Sequence, residues 1–136
     1  MRIIIRIFSL TIIGLLISIM LIHCLDLNIR IDELNKTSSL AMSNTQILIQ
    51  EIIEDRLYGT NNARRNINSN EEYLNIYKDN LFKLINTNSD YEIVDYYADY
   101  LRGLLYVNIN CKYHTVTGKE KILNKRLLNI IDVVNE

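Results

Sequence analysis

The side chains that could support chemistry in this sequence are few and widely spaced. Cys111 and His114 stand three residues apart, which could supply two metal ligands, but a protein zinc site needs three or four. A second group could be imagined as a calcium site, and its carboxylates are Asp90, Glu92, Asp95 and Asp99. The ligand spacing and the central glycine of an EF-hand loop are missing there. A solvent-facing histidine at His114 and a solvated strand face for the carboxylates are therefore preferred to metal sites, and Cys111 fits an apolar filling role.

Three motifs that mark common catalytic sites are also missing. The sequence has no glycine-rich phosphate loop, no nucleophile elbow and no HExxH helix. The chain has 15 basic and 16 acidic residues, a net charge of −1, and so lacks the basic stripe of a nucleic-acid-binding protein. We therefore expect no enzyme, no cofactor, no metal and no nucleic-acid partner.

The dominant feature is a nearly unbroken apolar run from Ile7 to Leu25 that contains no charged residue. About 20 such residues in a helix span the hydrocarbon core of a bilayer. Arg2 and Arg6 precede the run, and positive flanks stay in the cytoplasm. The sequence predicts a single-pass cell-membrane protein with a cytoplasmic N-terminus, in contact with the lipid bilayer. Everything after Leu25 is then extracytoplasmic.

Other interpretations of the run fit less well. A cleavable signal peptide needs small residues at its cleavage site, and the residues from Leu21 to Asp26 are bulky. A lipoprotein signal would use Cys24, but it needs a small residue where His23 stands. A buried helix of a soluble core is disfavoured because the remaining 110 or so residues could hardly cover it on all sides. An uncleaved anchor is favoured, with cleavage and lipidation at Cys24 left open. A disulfide with Cys111 is not expected, because Cys24 lies at the membrane boundary.

Three segments follow from this organisation: an anchor at residues 1–25, a helical extension at 26–59 and an extracytoplasmic α+β domain at 60–136. Without Arg2 and Arg6, the part outside the anchor has 13 basic and 16 acidic residues. The extension has an apolar stripe in steps of four and three, which keeps one helix face toward a partner. Its members are Leu27, Ile31, Leu34, Ser38, Ala41, Thr45, Leu48 and Ile52. Gly59 is the expected end of this amphipathic helix, which can continue the anchor without a break.

Small side chains occupy the middle of that stripe. Ser38, Ala41 and Thr45 allow a neighbouring helix to approach closely but bury little area, so a strong independent coiled coil is not expected. The pattern predicts a packed helix, against its own domain or against a neighbouring copy or protein partner. Whether the helix bends near Thr37 is left open. On an intermolecular interpretation, Ala41→Leu disrupts assembly and leaves membrane insertion intact, and unchanged partner co-purification would argue against it.

The rest of the chain predicts one more helix and a small sheet. A polar connector at residues 60–70 leads to Ser69 and Glu72, which have capping-box spacing, and a second helix should extend from about Asn70 to Ile85. From Leu104 to Thr117 apolar residues alternate as in a strand. Gly118 marks a reversal and residues 122–134 can return as a partner strand. Residues 91–100 fit a strand or a helix, and strand is preferred. The result is an antiparallel three-stranded meander with a helix across one face.

Acidic residues are concentrated in the first predicted strand and basic residues in the C-terminal stretch. The acidic group that includes Asp95 opposes a basic C-terminal group whose members are Lys112, Lys119, Lys121, Lys125 and Arg126. These charges can pair within the domain or remain solvated, which is preferred, or they can meet between copies and help to set the register of an assembly. Asp95 and Lys121 are the candidate interaction residues on this basis.

The layout resembles that of type IV pilin-like proteins: a short basic N-terminus, an apolar helix with a helical extension, and a small helix-plus-meander domain. The terminal hairpin, with Gly103-Leu104-Leu105-Tyr106-Val107 and Thr117-Gly118-Lys119-Glu120-Lys121, is similar to that of the small pilin-like (TadE-like) proteins of Tad-type pilus loci. Two features of processed pilins are missing. No glycine precedes a cleavage point near the N-terminus, and no glutamate follows it; Gly14 lies inside the apolar run, and the first acidic residue is Asp26.

The resemblance implies a membrane-retained structural or accessory component of a bacterial envelope pilus or secretion assembly. The anchor helix would pack against partner helices or self-associate, and the distal domain would dock through its sheet. The alternative function is a membrane-anchored binding module that recognises an envelope protein or a ligand through the tyrosine-rich segment, since six of nine tyrosines fall between Tyr91 and Tyr113.

Overall fold

Two helices and one three-stranded sheet make up the computed structural model, which describes residues 2–59 and 67–131. The elements in chain order are α1 (Arg2–Tyr58), α2 (Asn70–Leu84), β1 (Asp90–Asp99), β2 (Leu104–His114) and β3 (Glu120–Ile130). The order in the sheet is β1-β2-β3 and both pairings are antiparallel. The predicted α+β arrangement is confirmed.

Helix α1 is a single helix of 57 residues that includes both the apolar run and the predicted extension. No proline or glycine interrupts it between Gly14 and Gly59, and no separate element begins at the Thr37 region. Gly59 ends the helix: its φ is +64° and its N–H donates to the Asp55 carbonyl at 2.8 Å. A left-handed residue at this position is a common helix stop that glycine adopts without strain. The apolar segment and the domain's main helix are therefore one continuous rod.

Helix α2 begins with the predicted cap. The Ser69 hydroxyl accepts a hydrogen bond from the Glu72 N–H at 3.2 Å, and the Glu72 carboxylate accepts one from the Asn68 N–H at 2.6 Å. Two free backbone donors are thereby satisfied, as in a capping box. The helix ends at Leu84, one residue before the predicted end, because Ile85 is extended. Most of the predicted connector, residues 60–66, lies outside the described residues.

The sheet has one covered face and one open face. The covered face of β2 carries the predicted alternating residues, all buried: Leu105, Val107, Ile109, Cys111 and Tyr113. Both α1 and α2 pack on the sheet, and their buried side chains share one core with this face. The other face, which includes Asn108 and Asn110, is covered by neither of the two described helices. Single-sided burial explains the clear alternation in the sequence.

Segment 90–99 is a strand, as preferred, and it contains an irregularity. Ile93 pairs with Ile109 and Asp95 with Asn108, so Val94 is an extra residue that shifts the register. The return strand runs from Glu120 to Ile130, which is earlier than the predicted 122–134; residues 132–134 lie outside the described residues. Both differences arise from pairing with β2, which sets where its neighbours begin and bulge.

A glycine closes the distal end of the domain. Gly103 has a φ of +64°, and a Cβ on it would lie 2.8 Å from the Cβ of Ile131. The Ile131 N–H donates to the Gly103 carbonyl at 3.3 Å. Only glycine allows both the backbone conformation and this close approach.

Candidate functional site

The first part of α1 is the only described helix that is long and apolar enough to cross a membrane. No residue of its apolar window is buried, and exposed apolar side chains occur on all sides of the helix. A helix that is apolar on every side and covered on none would be unstable in water. The segment is therefore compatible with a single membrane span.

The domain covers one face of α1 from the end of the apolar run onward. His23 and Leu27 are half-buried, whereas Ile22 and Leu25 are exposed. His23 precedes the buried Leu34 by eleven residues, which is about three helical turns, so the two lie on the same side. The domain thus extends along α1 to the point at which the apolar run ends. We call this end, nearest the apolar run, the lower end of the domain.

Arg30 connects α1 to this lower end of the domain. Its guanidinium donates to the Ser89 hydroxyl at 2.8 Å, lies 3.5 Å from the Asp26 carboxylate and stands 5.8 Å from the centre of the Tyr113 ring. The planar, permanently charged group suits simultaneous stacking and hydrogen bonding. Arg30 therefore holds the start of β1, through Ser89, and the end of β2, through Tyr113, beside its own turn of α1.

Glu33 adds a second connection one turn higher. Its carboxylate accepts a hydrogen bond from the Thr87 hydroxyl at 2.6 Å and one from the Asn86 N–H at 3.4 Å. Further along α1, the Asn35 side-chain carbonyl accepts from Lys125 of β3 at 2.8 Å. Polar contacts from three segments thus hold the domain at a defined height on α1, and the apolar core behind them excludes water.

Three side chains that are buried or partly buried in the core have raised pKa values. Burial raises the pKa of the Cys111 thiol and of the Tyr91 hydroxyl, and it raises the pKa of Tyr73 to about 12. A buried cysteine with a raised pKa is a poor nucleophile, because the reactive form is the thiolate. Cys111 and Cys24 are both free thiols. The environment of Cys111 supports a packing role.

The predicted close-packing residues lie inside the chain's own core. Ser38, Ala41 and Thr45 are each 0% exposed. The Thr45 hydroxyl accepts a hydrogen bond from Asn80 of α2 at 3.0 Å and donates to the Ala41 carbonyl at 2.7 Å. Of the two packing partners that the stripe left open, the chain's own domain therefore covers this face. A contact of these residues with another chain stays a prediction.

We expect Ala41→Leu to destabilise the domain by about 1–3 kcal/mol, because a fully packed site has no room for three more carbon atoms. Any loss of assembly would then follow from detachment of the domain from α1, with membrane insertion intact. Denaturant unfolding in detergent micelles and vesicle flotation measure the two effects. Ser39→Leu is the matched control, since it adds bulk at an exposed position two residues before Ala41. Equal stability of the two variants would contradict the packing assignment.

Asp95 and Lys121, the predicted charged interaction residues, are not brought together. Both are exposed; Asp95 pairs with Asn108 on one edge of the sheet, whereas Lys121 pairs with Tyr113 on the other. The predicted pairing of acidic and basic groups within the domain occurs instead between Lys112 and Glu92, 2.6 Å apart. Hydrogen bonding to Glu92 raises the pKa of Lys112. Asp95 and Lys121 are thus separately available to other molecules.

A second apolar line on α1 faces away from the domain, and the sequence stripe did not include it. Ile29, Leu40 and Ile47 follow each other at intervals of eleven and seven residues, which differ from whole helical turns by only about 20°. Leu40 is 52% exposed and Ile47 57%. Polar residues such as Lys36 and Ser43 occupy the intervening positions of this face, so its apolar residues do not recur in steps of three and four. We call these three residues the outer line of α1.

The open face of the sheet also carries exposed apolar side chains, at the end far from the apolar run of α1. Tyr97, Leu128 and Ile130 are all exposed, and Tyr106 between them is half-exposed. Toward the middle of this face the character changes, where Asn124 donates to Asn108 at 2.7 Å and to Asn110 at 2.8 Å. An apolar patch beside a polar ladder resembles the mixed surface of protein interfaces.

Within residues 2–59 and 67–131, no group of three or more His, Cys, Asp or Glu side chains could hold a metal ion. No known protein family, curated protein sequence or solved structure matches the chain. The features that bear on function are the continuous helix, the two exposed apolar surfaces and the contacts that position the domain.

Proposed function

We propose that the chain is a single-pass membrane protein that serves as a structural or accessory component of a bacterial envelope pilus or secretion assembly. The N-terminus is cytoplasmic and the α+β domain lies outside. One observation supports this most: a single 57-residue helix carries an uncovered apolar segment at one end and the packed domain along the other. Such a rod transmits its position in the membrane directly to the domain.

The partner surface in this proposal is the outer line of α1. Ser18 lies eleven residues before Ile29, so the line continues into the membrane segment. Gly14, four residues before Ser18, has no atom near its missing Cβ, and small residues four apart allow two membrane helices to approach closely. The partner is therefore a membrane helix of another subunit, parallel to α1 and extended beyond the bilayer to reach Leu40 and Ile47.

In this proposal the two faces of α1 have separate roles, because Ser38, Ala41 and Thr45 are buried under the chain's own domain. The inner face holds the domain, and the outer line is left for an intermolecular contact. This arrangement keeps the domain folded whether or not the partner is bound. It also suits an accessory subunit that is retained in the membrane.

The second candidate is a binding module that captures an envelope protein through the open sheet face. The exposed Tyr97, Leu128 and Ile130 favour it, because tyrosine is enriched at interfaces and the centre of an interface is apolar. In that case the helix is only a tether. The two functions differ in which surface touches another protein.

Site-specific photocrosslinking distinguishes them. A photoreactive residue is placed at Ile47 on the outer line, at Leu128 on the open face, and at exposed Asn75 of α2 as the control, in the full chain in native membranes. The proposed function predicts a discrete crosslinked product at Ile47 that contains a membrane-spanning subunit of the assembly. Products at Leu128 alone would support the binding module. Crosslinking at Ile47 no stronger than at Asn75 would contradict the first proposal.

A further inference from the structure

The turn between β2 and β3 lies at the end of the domain that faces the apolar segment. Two contacts orient β2 along α1. At the far end, the guanidinium of Arg56 lies 5.1 Å from the centre of the Tyr100 ring, just before β2 begins. At the near end, Arg30 lies over the Tyr113 ring, just before β2 ends. Strand β2 therefore runs back toward the membrane segment.

The height of the turn follows from simple distances. Arg30 lies five residues after Leu25, which is about 7.5 Å along the helix axis. Val116 lies three residues beyond Tyr113 and inside the turn, so it is at most about 10 Å farther along the strand direction. The turn thus returns to about the level of Leu25, where the apolar run ends. The half-burial of His23 independently places domain atoms at that height.

The turn itself is a compact and well-bonded structure. The Thr115 N–H donates to the Lys119 carbonyl at 2.8 Å, and the Gly118 N–H donates to the Thr115 carbonyl at 2.8 Å. Val116 is nevertheless 63% exposed at its tip. Lys119 and Lys121 are exposed beside it, with Glu120 between them. An apolar tip with flanking lysines is the chemistry of a membrane-surface contact, in which lysines keep their charges at the headgroups.

We propose that the turn at residues 115–119 rests in the phospholipid headgroup layer of the outer leaflet. Val116 reaches the acyl boundary, and Lys119 and Lys121 face lipid phosphates. The inference rests on the proposed membrane anchoring and adds a second point of contact. With the helix and the turn both at the bilayer, the domain cannot tilt freely, and the outer line of α1 keeps a fixed direction. This gives Lys121 a lipid partner in place of a protein one.

Tryptophan fluorescence tests this directly, because the native chain has no tryptophan. Val116→Trp places a single tryptophan at the turn, and Leu101→Trp places one at an equally exposed turn at the distal end, where Leu101 is 65% exposed. Each full-length variant is reconstituted into phosphatidylcholine–phosphatidylglycerol vesicles. Quenching by phosphatidylcholine brominated on the acyl chain close to the headgroup is then measured. We expect several-fold stronger quenching for Val116→Trp than for Leu101→Trp, with a blue-shifted emission.

The outcomes separate this inference from the anchoring that it assumes. If the variants float with the vesicles but Val116→Trp is quenched no more than Leu101→Trp, the anchor stands and the lipid contact is refuted. If neither variant floats with vesicles, both proposals fail. Circular dichroism of the two variants, matched to the native spectrum, verifies that each comparison concerns a folded domain.

Discussion

The double substitution of Ile12→Arg with Leu16→Arg should remove the chain from the membrane. Both side chains lie near the middle of the apolar run and point outward. Each arginine costs about 2.5–3.5 kcal/mol at the centre of a membrane helix. The two residues are four apart and lie on one face of the helix, so both charges would be placed in the same region of lipid. The measurement is the fraction of chain in the membrane pellet after alkaline carbonate extraction.

The control for this prediction is Leu57→Arg. Leu57 belongs to the same helix and is similarly exposed, but it lies beyond the apolar run. We expect the control to stay in the pellet while the double variant moves to the supernatant or is degraded. If the double variant is retained as well as the control, the apolar run is not the membrane segment.

Tyr77→Ala should have the largest effect on the domain. Tyr77 is fully buried between α2 and the rest of the core, and truncating a large buried aromatic side chain costs about 3–5 kcal/mol. A domain of this size is stable by only about 5–15 kcal/mol. We expect extensive loss of folded domain at 37 °C, seen as a lower denaturation midpoint and as rapid proteolysis of the part beyond α1.

The matched control is Tyr77→Phe. Among the described residues, the Tyr77 hydroxyl has no hydrogen-bond partner, and burying an unpaired polar group is itself unfavourable. The phenylalanine variant should therefore be as stable as the native chain or slightly more so. A strong loss of stability in Tyr77→Phe would show that the hydroxyl is bonded and that the ring is not the main contribution.

Local patterns were sufficient to predict most of the elements. The Ser69 cap with Glu72 specified where α2 begins, and the alternation along β2 specified which of its residues are buried, because both signals act within a few residues. Segment 91–100 was ambiguous for a physical reason. Because Val94 is an extra residue, the core-facing positions change from odd-numbered residues such as Ile93 to even-numbered ones such as Ala98. No regular period of two is therefore visible in the sequence.

The contacts that position the domain could not be predicted in the same way. Arg30 meets Ser89, and Glu33 meets Thr87, across more than 50 residues of chain, and nothing local to either partner indicates the other. The outer line of α1 was missed because its apolar residues are eleven and seven apart. The stripe through Ser38, Ala41 and Thr45 was visible, but only the fold shows that the domain itself covers it.

We expect the apolar run to remain in the mature protein as the membrane end of one continuous helix. Intact mass spectrometry of the chain extracted from carbonate-washed membranes tests it most directly. Combined with protease treatment of intact cells whose outer surface is accessible, it also reports the orientation. We expect a mature mass that includes residues 7–25, without a lipid on Cys24, and a domain that protease removes from outside. A chain that begins after Leu25, or that begins at a lipidated Cys24, would contradict it.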